Sequence, residues 1–135
     1  MGYWNTGLGS LQKWKIGNEI RTILLSNQDI INQVGNNVYP IIAPEGTDDD
    51  FILYKRIQYS KLTVKQGVYE DRCELAVIAV CNNYDNSIDL ASKIDNALTG
   101  KHLLENGYRL EIVLSDSTET YEDNKFIQTL TFTIK

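Results

Sequence analysis

The chain has 135 residues, a length that fits one domain with one hydrophobic core and is too short for two domains joined by a linker. Hydrophobic residues make up 42% and charged residues 23%, ordinary values for a globular chain that give no sign of disorder, collagen or a coiled coil. The formal net charge is −5 and the 13 basic residues are scattered along the chain, which disfavours nucleic-acid binding over the whole surface.

The first predicted elements are two helices. Apolar residues at the i, i+4, i+7 and i+8 positions of one face predict a helix over 16–25. Asn27 is placed to cap a second, shorter helix, which Gly35 ends in the left-handed conformation. Gly17 weakens any longer helix upstream by about 1 kcal/mol relative to Ala. We therefore assign no element to residues 1–15, which form an N-terminal extension.

The next segment predicts a short edge strand, a long strand and a hairpin arm. Residues 38–42 are strand-like in type, but Pro40 has no ladder donor and belongs at an edge. After a polar, turn-rich segment, residues 51–59 predict the first long strand, with its odd-numbered apolar side chains on one face. Residues 60–71 are poor in apolar side chains and predict an exposed, extended hairpin arm.

Residues 72–81 have the clearest strand pattern of the chain. The odd-numbered positions from Cys73 to Cys81 are apolar, and the other face becomes apolar from Ala76 onward, so we expect the second half to be buried on both sides. The two cysteines are about 26 Å apart at the rise of a strand, whereas a disulfide needs Cα atoms within about 7 Å. They are predicted to be buried thiols.

A third helix and two strands complete the pattern. Asn86 or Ser87 can cap this helix, and Gly100 closes it. Its predicted apolar stripe consists of Ile88, Ala91, Ile94 and Leu98. Residues 108–114 and 126–134 alternate apolar and polar side chains and predict two antiparallel strands.

This order of elements predicts an α+β fold, a mostly antiparallel sheet with helices packed on one face. We expect a single domain over 1–135. No apolar run approaches the 18 or so residues that cross a membrane, and the start of the chain lacks the pattern of a secretion signal. We therefore expect a protein that is made in a cytosol-like compartment and does not contact a membrane.

Catalytic, cofactor and metal patterns are absent from the sequence. His102 is the single histidine, and we interpret it as an exposed loop residue. Cys73 is a poor nucleophile because its predicted core position disfavours the thiolate. The glycines at Gly7 and at Gly100-Lys101 lack the spacing of nucleotide-binding loops. We therefore predict no catalytic residue, no cofactor, no metal and no enzymatic activity.

Two further features of the sequence are a run of three aspartates and a high content of aromatic residues. Asp48, Asp49 and Asp50 carry oxygen ligands that suit a hard cation, but consecutive side chains of an extended segment point apart, which favours a solvated acidic loop. The eight tyrosines and two tryptophans exceed what a core of this size requires, and amphipathic aromatic residues are enriched at protein interfaces.

The segments VYPIIAPEGT at 38–47 and FILY at 51–54 resemble the tail-completion (head-tail joining) family of long-tailed bacteriophages and their prophages. The strand at 73–81, the helix that follows it and the closing strand fall in the order of that family, so the resemblance covers residues 16–135. Two departures concern Asp50, where family members often have a proline, and residues 1–15, which are unmatched.

The resemblance implies a subunit that forms a ring, expected to have six copies, at the head-proximal end of the tail tube. Such a ring ends tube growth and joins the tail to the head. The implied partners are further copies of the chain, the tail tube protein and the head connector, while DNA only passes through the lumen, where acidic walls would not hold it. The implied location is the head-tail junction of the virion, after assembly in the cytoplasm of a bacterial host.

We predict that the acidic loop and the hairpin arm are contact surfaces for other subunits. The predicted contact residues are Thr47, Asp48, Asp49, Asp50 and Phe51 in the loop, and Lys61, Lys65 and Tyr69 in the arm. Two alternatives stay open, a homo-oligomeric binding or structural module outside phages and a small enzyme. Ring formation would favour the phage subunit over the first alternative, because a ring needs two different surfaces on each copy that meet head to tail.

Overall fold

A computed structural model describes residues 13–63, 69–104 and 107–135, and for residues 62, 63 and 69–71 it describes the backbone only. Three helices and six strands lie within these ranges. In chain order they are α1 (Ile16–Leu25), α2 (Gln28–Val34), β1 (Val38–Pro40), β2 (Phe51–Thr63), β3 (Tyr69–Cys81), α3 (Tyr84–Leu98), β4 (Gly100–Leu103), β5 (Arg109–Glu122) and β6 (Lys125–Ile134).

The described strands form one six-stranded sheet with the order β1-β2-β3-β6-β5-β4. Strands β1 and β2 pair in parallel, and the other four pairings are antiparallel. The predicted α+β class with a mostly antiparallel sheet is therefore confirmed. The packing of the helices on one face of that sheet stays a prediction.

The first two helices have the bounds that the sequence predicts. The Asn27 side-chain oxygen accepts a hydrogen bond from the Ile30 N–H at 3.1 Å, which is the expected N-cap of α2. Gly35 ends that helix with a φ of 60°. Gly17 leaves room for an aromatic ring, because a Cβ atom at this position would lie 3.0 Å from the Tyr54 ring.

The core joins the helices to the centre of the sheet. On β3, the five odd-numbered residues from Cys73 to Cys81 are fully buried, as the alternation predicts, and Ala76 and Val80 on the other face are buried too. No disulfide joins the two cysteines. On β6, Phe132 lies opposite Leu75 and belongs to the same core. The predicted burial of the second half of β3 is confirmed for the odd-numbered face and for Ala76 and Val80 on the other face, where Ile78 is half-buried.

The predicted buried face of β2 is wrong. Ile52 and Tyr54 enter the core, whereas Leu53 is half-buried and Ile57 is 49% exposed. The cause is a register shift between β2 and β3 at position 57, which adds one residue to β2 and reverses the alternation beyond it. Tyr59 therefore returns to the side of the core.

The predicted start and stripe of α3 also need correction. Asn83 is the N-cap, because its side-chain oxygen accepts the Asn86 N–H at 3.1 Å, and neither Asn86 nor Ser87 has that role. The residues that α3 buries are Ser87, Leu90, Ile94 and Leu98. Ile88 is 42% exposed, so the buried stripe begins at Ser87 and Leu90 and shares only Ile94 and Leu98 with the predicted one.

Three strands, β1, β4 and β5, differ from the prediction. Strand β1 ends at Pro40, so residues 41–42 lie outside the sheet. Strand β4 was not expected, because the four residues after α3 carry too few apolar side chains to show an alternation. Strand β5 continues to Glu122 and turns through Asp123 and Asn124, whose φ values of 51° and 64° are those of a two-residue hairpin turn.

The burial of α3 can be tested with two truncations on the same helix. We expect Leu90→Ala to lower the free energy of unfolding by about 2–5 kcal/mol, because it leaves a cavity in the core. We expect Ile88→Ala to change it by less than about 0.5 kcal/mol, because this side chain is partly in solvent. Urea unfolding followed by circular dichroism measures both, and equal losses would contradict the observed stripe.

Candidate interaction surfaces

The acidic loop before β2 begins with an ordered turn. The Thr47 N–H and hydroxyl both donate to the Pro44 carbonyl, at 3.2 and 2.7 Å. Gly46 has a φ of 84°, a backbone conformation that a glycine adopts without strain in the third position of such a turn. Thr47 is half-buried by this arrangement. The turn therefore fixes the direction in which the three aspartates leave it.

A hydrogen-bonded clamp holds the acidic loop to the ends of β3 and β6. The Asp50 carboxylate accepts the Asn82 N–H at 3.1 Å, and the Asn82 side-chain amide donates to the Asp48 carbonyl at 2.8 Å. The Lys125 ammonium donates to that carbonyl at 2.9 Å and to the Asn82 side-chain oxygen. The side chains of Asp48 and Asp49 remain exposed, so the clamp presents them to solvent on an anchored loop.

The last residue of the predicted loop surface lies inside the fold. Phe51 is 9% exposed, and its ring lies 6.4 Å from the ring of Tyr39 on β1. The Tyr39 hydroxyl in turn donates to the Asn37 side-chain oxygen at 2.8 Å. Phe51 thus packs against Tyr39 at the point where the loop joins β2. Its role as a contact residue stays a prediction.

The hairpin arm is present as two paired strands. Strands β2 and β3 pair for four residues beyond the last pair of β3 with β6, ending at Thr63 and Tyr69. Lys61 is exposed, and its ammonium lies 5.9 Å from the centre of the Tyr59 ring. Tyr69 begins β3 and is described by its backbone only, and Lys65 lies outside the described residues.

Trp14 lies beside the base of the arm, a location that the sequence did not reveal. Its ring is 59% exposed, and the Arg56 guanidinium lies 4.3 Å from the ring centre. Arg56 also donates to the Trp14 carbonyl at 3.0 Å. The Trp14 and Tyr59 rings meet edge to face with their centres 5.7 Å apart. These contacts hold an exposed tryptophan in one orientation.

Two exposed isoleucines directly follow β1. Ile41 is 69% and Ile42 is 75% exposed. Ile41 has a φ of 66°, which is strained for a β-branched residue, and the Ile42 N–H donates to the Pro40 carbonyl at 2.6 Å across it. Strain of this kind persists only where the surrounding structure imposes it, and it concentrates at functional positions.

Two of the described titratable groups, the Cys81 thiol and the His102 ring, lie in surroundings that bear on their reactivity. Burial raises the pKa of the Cys81 thiol to about 12, and the charge and hydrogen bond of the Asp50 carboxylate act in the same direction. The thiolate that nucleophilic chemistry needs is therefore disfavoured. His102 is half-buried in β4 and its Nε2 lies 2.7 Å from the Leu98 carbonyl, to which it donates, so the predicted exposed loop histidine is wrong.

The surface grooves are lined by a mixture of polar and apolar residues. One of about 690 Å³ lies between α1 and β4, with Glu19 and His102 in its lining. Within the described ranges, no group of three or more His, Cys, Asp or Glu side chains is arranged to hold a metal ion. Among the same residues, no helix has both the length and the apolar character that a membrane span requires.

No family model matches the chain, and no curated protein matches its sequence. The fold is similar to that of a chain in the virion of a native gene transfer agent particle, with a TM-score of 0.72. The alignment covers 85% of this chain and 89% of the other, at 14% sequence identity. At this identity the likeness shows that the two chains share a fold.

The clamp around Asn82 can be tested with two neighbouring aspartates. We expect Asp50→Ala to lower the free energy of unfolding by about 1–2 kcal/mol, because the Asn82 N–H loses its charged acceptor. Asp49→Ala changes the same net charge but no described hydrogen bond, and we expect a change below about 0.5 kcal/mol. Thermal and urea unfolding measure the difference, and two equal values would contradict the clamp.

Proposed function

We propose that the chain is a structural subunit of a phage-like particle. The observation that carries this proposal is the shared fold with a chain of a gene transfer agent virion, which extends over most of both chains. The phage resemblance of residues 38–47 and 51–54 rests on the amino-acid sequence alone, so it supports the same proposal independently.

Within such a particle, we propose a ring of six copies at the head-proximal end of the tail. The ring would end the growth of the tail tube and join it to the head. Its partners would be the tail tube protein on one side and the head connector on the other, with DNA passing through the lumen. The basis of this finer assignment is the sequence resemblance to the tail-completion family.

The proposed role is an assembly role and requires no catalysis. The surroundings of Cys81 and His102 favour this role over the alternative of a small enzyme. The Cys81 thiol has a pKa raised to about 12 by burial, and the His102 ring is engaged by a backbone carbonyl. Exposed aromatic and apolar side chains such as Trp14 and Ile42 suit a surface that other proteins cover.

We also propose that the helices cover one face of the sheet. The buried residues of all three helices belong to one core with the odd-numbered residues of β3, and this arrangement supports that packing. The ends of the sheet are then left for neighbouring molecules. The two predicted contact surfaces lie at opposite ends of β2, since the acidic loop precedes Phe51 and the arm extends to Thr63. A ring needs two such different surfaces on each subunit.

The proposed function can be tested in a host that produces the particle but lacks this chain. We expect tails of uncontrolled length and heads without tails, because tube growth has no terminator and no joint. Electron microscopy of the lysate measures tail length and the fraction of joined particles. Supplying the wild-type chain should restore both.

A chain that lacks residues 61–69 should fold, because the deletion removes paired strands beyond the core, but should not restore joined particles. Normal tails and joined heads in the absence of the chain would contradict the proposed function. Full rescue by the shortened chain would contradict the role of the arm and leave the ring proposal in place.

A further inference from the structure

The base of the arm carries a rigid cluster of aromatic and cationic side chains. We call it the basic end, and it consists of Trp14, Arg56, Tyr59 and Lys61. The four side chains form one run of contacts, with Arg56 on the Trp14 ring, Trp14 on Tyr59, and Lys61 above Tyr59. Tryptophan, tyrosine and arginine are the residues that most often dominate binding energy at protein interfaces.

The basic end has a surplus of positive charge within an acidic protein. Four cationic residues, Lys55, Arg56, Lys61 and Arg72, lie on this part of β2 and β3, against two acidic residues, Glu74 and Asp71, the second of which pairs with Lys61 in the sheet. Lys15 follows Trp14 directly and is also exposed. The fold thus brings several of the cationic residues that are scattered along the sequence to this one end of the sheet. Such a surface fits an acidic partner.

The opposite end of the sheet is acidic. We call it the acidic end, and it consists of the exposed residues Asp48, Asp49, Glu122 and Asp123. The loop and the β5–β6 turn adjoin each other, because Lys125 pairs with Glu122 in the sheet and donates to the Asp48 carbonyl. That bond and the bond to Asn82 engage the ammonium of this lysine inside the clamp.

The two charged ends are separated by the length of the central strand. Tyr59 lies opposite Cys73, whereas Cys81 lies opposite Phe126, next to the β5–β6 turn. Eight residues of strand separate the two rows, or about 26 Å. One subunit therefore cannot join its own two ends, and each end is free to meet the complementary end of another copy.

We infer that the basic end of one copy docks on the acidic end of the next copy. This inference rests on the proposed ring, and it adds which two surfaces meet. The contact is heterologous, because one patch meets a different patch, and repetition of such a contact closes into a ring when the rotation allows it. Complementary charge at the two ends sets the orientation and excludes head-to-head pairs, which would oppose like charges.

A second copy fits the basic end better than a nucleic acid does. The whole chain has a net charge of −5, so a polyanion that approaches the basic end is repelled by the rest of the molecule. A second copy has the same net charge, but its acidic end is a compact patch on a loop held by the clamp, so it can match the basic end without laying a long run of negative charge along the rest of the surface. The contacts of Trp14 with Arg56 and Tyr59 are already formed in the single copy, which lowers the ordering cost of a protein contact.

Charge reversal in the full-length chain tests this pairing. The basic-end variant combines Arg56→Glu with Lys61→Glu, and the acidic-end variant combines Asp49→Lys with Glu122→Lys. We expect each variant alone to associate with itself at least about tenfold more weakly than the wild type in sedimentation velocity at low salt. A chain with all four substitutions should regain association, because its ends are again complementary. An equal mixture of the two variants should regain it as well.

The control variant combines Lys101→Glu with Arg109→Glu, which removes the same charge from the β4 edge and should leave association unchanged. If loss of Arg56 unfolds the chain, as circular dichroism would show, Lys15→Glu with Lys61→Glu replaces it and should weaken association in the same way. Higher salt should weaken wild-type association, since ions screen exposed charges.

Rings that persist in both charge-reversed variants would overturn this pairing and leave the proposed ring in place. A four-fold variant that fails to associate would also overturn it, as would a wild-type chain that stays monomeric at every concentration. Binding of a labelled single-stranded DNA that is lost in the basic-end variant, with association unchanged, would assign the basic end to nucleic acid instead.

Discussion

The burial of strand β3 is the constraint on which the rest of the structure depends. Its odd-numbered residues from Cys73 to Cys81 are fully shielded, and it pairs with β2 on one side and β6 on the other. From Cys73 to Cys81 the strand is paired on both sides and has no free edge to offer a partner. The exposed tryptophan, isoleucines and acids lie beyond this part of the strand, towards the ends and outer edges of the sheet.

Two register shifts connect this rigid centre to the surfaces at its ends. One lies in β2 at position 57 and the other in β5 at position 115, and both adjoin the row in which Leu75 faces Phe132. An extra residue bends a strand and increases its twist. The shift in β2 also returns Tyr59 to the side of the core, where it meets Trp14. The contact between Tyr59 and Trp14 at the base of the arm thus depends on the register shift in β2.

The regular parts of the fold could be predicted from the sequence, and the irregular parts could not. The alternation around Leu75 and the cap at Asn27 are local signals, and both predicted the observed elements. The register shift in β2 appears only in its pairing with β3. The alternation of apolar residues along β2 therefore did not reveal that the odd-numbered side chains before and after Ile57 lie on opposite faces. For the surfaces, the sequence predicted the acidic loop and the arm, but the contact of Trp14 with Arg56 joins residues 42 positions apart and has no local signal.

The central claim is that copies of the chain associate head to tail into a ring. The measurement that tests it most directly is the mass of the purified chain in solution, determined by light scattering over a wide range of concentration. Negative-stain imaging then shows the shape of any large species. Head-to-tail association through two different ends predicts one closed species with several-fold rotational symmetry, and six copies if the phage resemblance holds. A stable dimer would contradict it, because a dimer joins one patch to itself and leaves the other end of each subunit unused.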